Sequence, residues 1–272
     1  MLVIIDKKTI YIMGILILSI VTGGIMLFIK SSVPVTTENS AEGYIALVID
    51  DLGNNAEGTK ELLSLDIPMT VAVMPFRPYS RQDAEAAHQA GMEVIMHVPM
   101  QPEKGKPEWL GPKGITEDLS QEEITERIYQ GLEEIQYAAG MNNHMGSKAM
   151  QDERIVKILM EVAKNKNLFF IDSKTTMKSV AAIVATDLEV PYLERDVFLD
   201  HVKSKDEIRN SLKKLGDIAL SRGYAVGIGH VGEQGGKITM EQIKAMIPEL
   251  EKKGIRFVYS SQLLELSTYK EK

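Results

Sequence analysis

The sequence predicts an α/β domain built on one parallel sheet, and three observations carry the prediction. Short apolar runs alternate with amphipathic stretches from Tyr44 onward, and each run ends in polar or turn residues. The chain, 272 residues with 44% hydrophobic content, is long enough to bury one large core. The runs at 45–49, 70–74, 93–97, 141–145, 168–172, 197–200, 225–229 and 257–259 read as strands. The stretches at 120–139, 152–165, 204–221 and 239–253 read as helices, with start signals at three of them. Ser120 with Glu123 forms a capping box, Asp152 stands before its apolar run, and Thr239 with Gln242 repeats the box. This βα rhythm suits either a barrel or a doubly wound sheet. The long irregular segment 101–119, rich in Pro and Gly, reads as a lid or binding rim.

The N-terminal part has a different character. Residues 9–29 carry no charge, and about 20 such residues cross a bilayer as a helix. Lys7 and Lys8 precede the stretch and only Lys30 follows it, so the positive-inside rule puts the N-terminus in the cytoplasm and the domain outside. A cleaved signal peptide has a shorter apolar region and a nearby small-x-small site. A single-pass signal anchor is therefore expected, with secretion after cleavage as the alternative. Residues 31–43, rich in Ser, Thr and Pro, read as a flexible tether, and 44–272 as the folded domain. The formal net charge of −7, without a basic cluster, excludes nucleic acid as a partner. No feature points to a particular protein partner. The chain has no cysteine, so a metal would be held by His, carboxylates, amides or water.

The strand ends carry the chemistry. "VIDDLG" places Asp50 and Asp51 side by side, a repulsive pair unless a cation or a hydrogen-bond network compensates. "VIMHVPM" ends near His97, "MNNHMGS" holds His144, and "VGIGHVG" ends on His230. One carboxylate and two imidazoles suit Zn²⁺ or another divalent ion. Asp51, His97 and His144 are the expected ligands, with Asp50 as base toward an activated water and His230 as proton donor to a leaving group. The simpler reading of the Asp pair is a helix N-cap.

Weaker candidates surround this set. Asp172 at the end of "FFIDSK" could orient a site residue or only cap the next helix. Arg195 and Asp196 in "YLERDVFLD" could contact substrate or a catalytic carboxylate, or form a surface ion pair. Trp109, the single tryptophan, could stack on a sugar ring or close its loop. Met96, Met100, Met141 and Met145 read as barrel packing. His88, mid-helix on a solvated face, and His201 stand outside the expected set.

With "IDDLG", "HVPMQP", "NNHMGS", "FIDSKTT", "RDVFLD" and "GHVG" in place, the domain resembles the divergent polysaccharide deacetylase family, an offshoot of the polysaccharide deacetylase superfamily. The resemblance covers about 44–266. It implies a distorted (β/α) barrel, usually of seven parallel strands, so one of the eight candidates would be peripheral. It also implies a metal-dependent hydrolase acting on a glycan, with the first aspartate, Asp50, as base, the second, Asp51, on the metal, and His230 as general acid. Where the superfamily has a second histidine four residues after His97, this chain has Gln101. His144 falls where the superfamily has an arginine–proline motif that orients the base, and is inferred to replace the missing ligand. N-acetyl removal is the expected reaction. A glycan-binding or cell-envelope interaction protein that has lost catalysis, and an O-acetyl esterase, are the alternatives.

Overall fold

A computed structural model describes residues 41–270; the expected membrane segment and nearly all of the tether lie outside the described residues. Among the described residues no helix is long and apolar enough to cross a membrane. Nine strands among them form one parallel sheet: β1 Gly43–Leu52, β2 Thr70–Val73, β3 Glu93–Met100, β4 Ala138–Met145, β5 Phe169–Asp172, β6 Tyr192–Glu194, β7 Val197–Phe198, β8 Tyr224–His230 and β9 Ile255–Val258. Eight follow one another in the order β6-β5-β4-β3-β2-β1-β8-β7, and β9 pairs with β1 outside that order. The result is an α/β half-barrel of eight strands, compatible with the expected distorted barrel, with candidate 257–259 at its periphery. The count exceeds seven because β6, absent from the candidates above, and β7 are separate short strands at opposite margins of the sheet.

Only Arg195 and Asp196 separate β6 from β7. The Arg195 N–H donates to the Asp172 carbonyl of β5 at 3.0 Å, and the Asp196 N–H to the Val226 carbonyl of β8 at 2.9 Å. The chain itself therefore passes from one margin of the sheet to the other.

Side chains alternate between two faces of each strand, and two buried clusters follow that alternation. Ala46, Val48, Ile95, Phe169, Ile171, Leu193, Val226 and Ile228 share one face, the interior. Leu263, from helix Ser260–Lys270, joins them at the end where the strands begin. Ile45, Leu47, Ile49, Val94, Met96 and Phe170 share the other face with the helices. Each fully buried Leu, Ile or Val contributes about 1.5–3 kcal/mol, so a one-residue slip in register would be strongly opposed.

The helices among the described residues are α1 Thr59–Leu62, α2 Ser80–Gln89, α3 Pro107–Leu110, α4 Gln121–Glu134, α5 Glu153–Asn165, α6 Ala181–Leu188, α7 Lys205–Arg222, α8 Lys237–Lys252 and α9 Ser260–Lys270. Ser120 and Glu123 form the expected reciprocal capping box on α4. Asp152 accepts from the N–H groups of Arg154 and Ile155 on α5. Thr239 departs from expectation: α8 starts at Lys237 after Gly236, and the Thr239 hydroxyl donates to Asp200 at 2.9 Å instead of capping. α4 also ends sooner than 120–139 predicts, because 138–140 pair with β3 and Gly140 with Phe169 of β5.

Candidate functional site

The interior face continues past the hydrophobic layer into a polar one. Asp50 follows Ala46 and Val48, His97 follows Ile95, and His230 follows Val226 and Ile228. Asn142 and His144 are two apart on β4, and Asp50 lies in register with His230. Alternation alone would send Asp51 to the opposite face from Asp50. Instead Asp51 takes φ 70°, and the β1–β2 register shifts between Ile49 and Leu52. Left-handed backbone at a non-glycine residue costs about 1–3 kcal/mol, and here it brings two neighbouring carboxylates to one mouth.

Asp51 Oδ1 is buried and makes no well-directed hydrogen bond. Nδ1 of His144 stands 3.1 Å from it and Nε2 of His97 3.4 Å, while the two nitrogens are 3.2 Å apart. Nε2 of His144 lies 3.0 Å from the carbonyl oxygen of Trp109. A carbonyl only accepts, so that nitrogen carries the hydrogen and Nδ1 of a neutral His144 presents a lone pair to Asp51. Electron pairs facing one another in a buried space repel, and either a proton on Nε2 of His97 or a bound cation resolves the conflict. One ligand atom from each of Asp51, His97 and His144 lies within 4.8 Å of the others, a donor set fit for a divalent ion.

The electrostatics agree that this corner favours positive charge. Burial lowers the His97 pKa, but Asp50 and Asp51 outweigh it and lift the ring above the ordinary imidazole value. Burial raises Asp51, yet the His144 and His97 rings hold it well below the carboxylate range. Asp50, 2% exposed, is pushed up by burial against the pull of His97 and His230.

His230 is held differently. Its Nδ1 donates to Asp200 Oδ1 at 2.9 Å, and its backbone N–H donates to Asp200 Oδ2 at 2.8 Å. Phe198 stands edge-on to the ring with centroids 4.8 Å apart. Burial works to lower the His230 pKa, but the hydrogen bond and charge of Asp200, with Asp51 and Asp50 behind them, lift it to about 9. The shift favours the protonated ring at neutral pH.

A cleft opens over these groups in two lobes, of about 700 Å³ and about 350 Å³. Both are lined by Asp51, His144, Met145 and Gln234. The larger lobe runs past Arg77, Glu108 and Trp109. The smaller is floored by Asp50, His97 and His230, with Lys174, Arg195 and His201 around it.

Residues 47–264 match the divergent polysaccharide deacetylase family. The chain belongs to that family. It is 31% identical to the uncharacterized protein YibQ of Escherichia coli over 208 residues, 76% of this chain and 65% of that protein, so it spans just under two thirds of that relative's length. Among solved structures it is similar to the uncharacterized protein ATU2773 of Agrobacterium tumefaciens, with a TM-score of 0.74 and 21% identity over 81% of this chain and 89% of that one. A family 4 carbohydrate esterase from Streptomyces lividans, solved in complex with acetate, matches in fold with a TM-score of 0.50 and 16% identity over 80% and 92% of the two chains.

Within this divergent deacetylase fold the remaining candidates separate. Asp172 belongs to the outer face, where it accepts from Ser179 Oγ at 2.6 Å and the Lys174 N–H at 2.7 Å, so it shapes the β5–α6 loop and does not join the cleft. Asp196 also stays outside, bound to Arg222 and to the Val226 N–H. The side-chain oxygen of Gln101 accepts from the Glu117 N–H at 2.9 Å and its carbonyl from the N–H groups of Lys148 and Ala149, pinning segment 101–119. Arg195 reaches the smaller lobe and is held there by donating to the carbonyls of Ser173 and Lys174. Trp109 is 55% exposed on the rim of the larger lobe, with Lys106 of its own loop over the ring. Met96, Met100 and Met141 pack in the outer layer, whereas Met145 lines the cleft. His88 is exposed and stacks on Tyr137, but His201, excluded above, does line the smaller lobe. Asn142 and Asp200 escaped the sequence reading although both stand in quoted motifs. The signal for Asn142 was its spacing two residues before His144.

Proposed function

We propose that this protein is a metal-dependent hydrolase that removes acetyl groups from N-acetylated sugars of a polysaccharide outside the cytoplasm. The observation that carries it is the unsatisfied Asp51 oxygen facing His144 and His97, with Asp50 and His230 beside it. Asp51, His97 and His144 would hold Zn²⁺ or another divalent ion, which supplies Lewis acidity toward an amide carbonyl and toward water. Asp50, in the floor of the smaller lobe, accepts the proton of the attacking water. His230, kept protonated by Asp200 through Nδ1, donates from its other nitrogen to the departing amine. The acetate found with the Streptomyces esterase supports an acetyl group as the moiety removed. The uncharged stretch 9–29 supports a membrane tether holding the domain at an extracytoplasmic glycan.

The test is acetate release by the full-length, Zn²⁺-loaded chain from N-acetylated chitooligosaccharides and peptidoglycan fragments, with Asp50→Asn as control. Release by the wild type and its loss in the variant are expected. Sugar binding without release in either protein would replace this reading with the glycan-binding one, and release from O-acetylated substrates alone would replace it with the esterase.

A further inference from the structure

Asn142 is fully buried at the centre of the site, between the expected base and one expected ligand. Its Nδ2 donates to Asp50 Oδ1 at 2.8 Å, and its Oδ1 lies 2.7 Å from Nδ1 of His97. The sheet fixes this contact: Asn142 of β4 and His97 of β3 are register partners on the interior face. We infer that Asn142 is a positioning residue that sets both the nitrogen His97 offers to a cation and the oxygen Asp50 offers to a proton.

The polarity of the amide decides the matter. An ionised Asp50 only accepts, so Asn142 must turn its NH₂ toward it, since the flipped amide would press two oxygens together. The amide oxygen then faces His97, Nδ1 must carry the hydrogen, and Nε2 is left as a lone pair directed at Asp51 Oδ1 and Nδ1 of His144. The flipped arrangement would protonate Nε2 and spoil the ligand. On the other side, the bond to Oδ1 leaves Asp50 Oδ2, 3.6 Å from Nε2 of His97, as the oxygen free to take a proton. A single amide thus orients the base and couples that orientation to the choice of ligand nitrogen.

The inference rests on the proposed metal chemistry, and three measurements test it separately from turnover. In metal-free wild-type protein at alkaline pH, long-range ¹H–¹⁵N correlations should show neutral His97 protonated at Nδ1; protonation at Nε2 overturns the inference whatever the activity. Asn142→Ala should weaken Zn²⁺ binding, measured by chelator competition, by about 10–100-fold; an affinity close to wild type overturns it. Asn142→Asp keeps an acceptor for His97 but sets a carboxylate against Asp50, so it should retain Zn²⁺ affinity while kcat falls about tenfold or more at constant KM. Equal loss of affinity in both variants would mark Asn142 as merely structural and overturn the inference. Should the wild type release no acetate, the proposed reaction fails while the tautomer and affinity measurements still decide the role of Asn142.

Discussion

Two carboxylate–histidine groups sit at the same mouth and handle burial in opposite ways. Around Asp200 every contact is satisfied: Oδ1 accepts from the His230 ring, and Oδ2 accepts from the His230 N–H and from Thr239. Around Asp51 the inner oxygen has two ring nitrogens close by and no well-directed hydrogen bond. A saturated cluster holds one proton in one place, whereas an unsaturated one is completed from outside. Under the proposed function, the first would deliver a proton and the second would hold the cation.

The sharpest way to break this contrast is Asp51→Ala. Metal measured in the purified protein should be lost, and acetate release should fall on the order of 10³-fold, as for the loss of a preorganised electrostatic group. Unchanged metal content would remove Asp51 from the ligand set.

Asp200→Asn tests the other side. Because His230 is lifted to about 9, its protonated form should prevail below that pH and disappear above it. Removing the Asp200 charge should shift the alkaline limb of the pH–rate profile to lower pH and reduce kcat about 10²-fold, with metal content unchanged. The same shift bears on stability. A raised folded-state pKa contributes fully below the ordinary imidazole value and is lost as pH rises through about 9. The stability gap between wild type and variant, followed by thermal melting, should therefore narrow as pH rises over that range. A gap that widens would assign the shift to another group.

Gly235→Ala is a smaller, structural perturbation. A Cβ at Gly235 would overlap Asp200 Oδ2 and the His230 carbonyl, so a cost of about 1–3 kcal/mol is expected as a lowered Tm. The loss of activity should follow His230 and leave metal binding intact. Trp109→Ala should have the least effect, weakening oligosaccharide binding by about 0.5–1.5 kcal/mol with little change in kcat. A large fall in kcat would mean that the segment carrying the Trp109 carbonyl, which holds His144, had moved with it.

Much of the fold and site was legible because strand alternation is visible in the sequence. Asp50, His97 and His230 each continue an inward stripe of apolar residues. The same parity, applied strictly, sets Asp172 on the outer face with Phe170. Asp51 was legible as chemistry but not as geometry, since no local signal announces its left-handed turn. Asp200 was hidden for a different reason. A carboxylate after a strand is indistinguishable from a cap until the partner 30 residues later is placed beside it. β6 was missed because its three residues pair only after the chain has crossed to β5.

The two-residue passage through Arg195 and Asp196 leaves no slack in the circumference of the sheet. One extra amino acid there would reverse the alternation downstream or pull a margin out of register. Growth or shrinkage of this protein is therefore confined to the loops above and below the wall, and the wall itself behaves as a fixed-length belt.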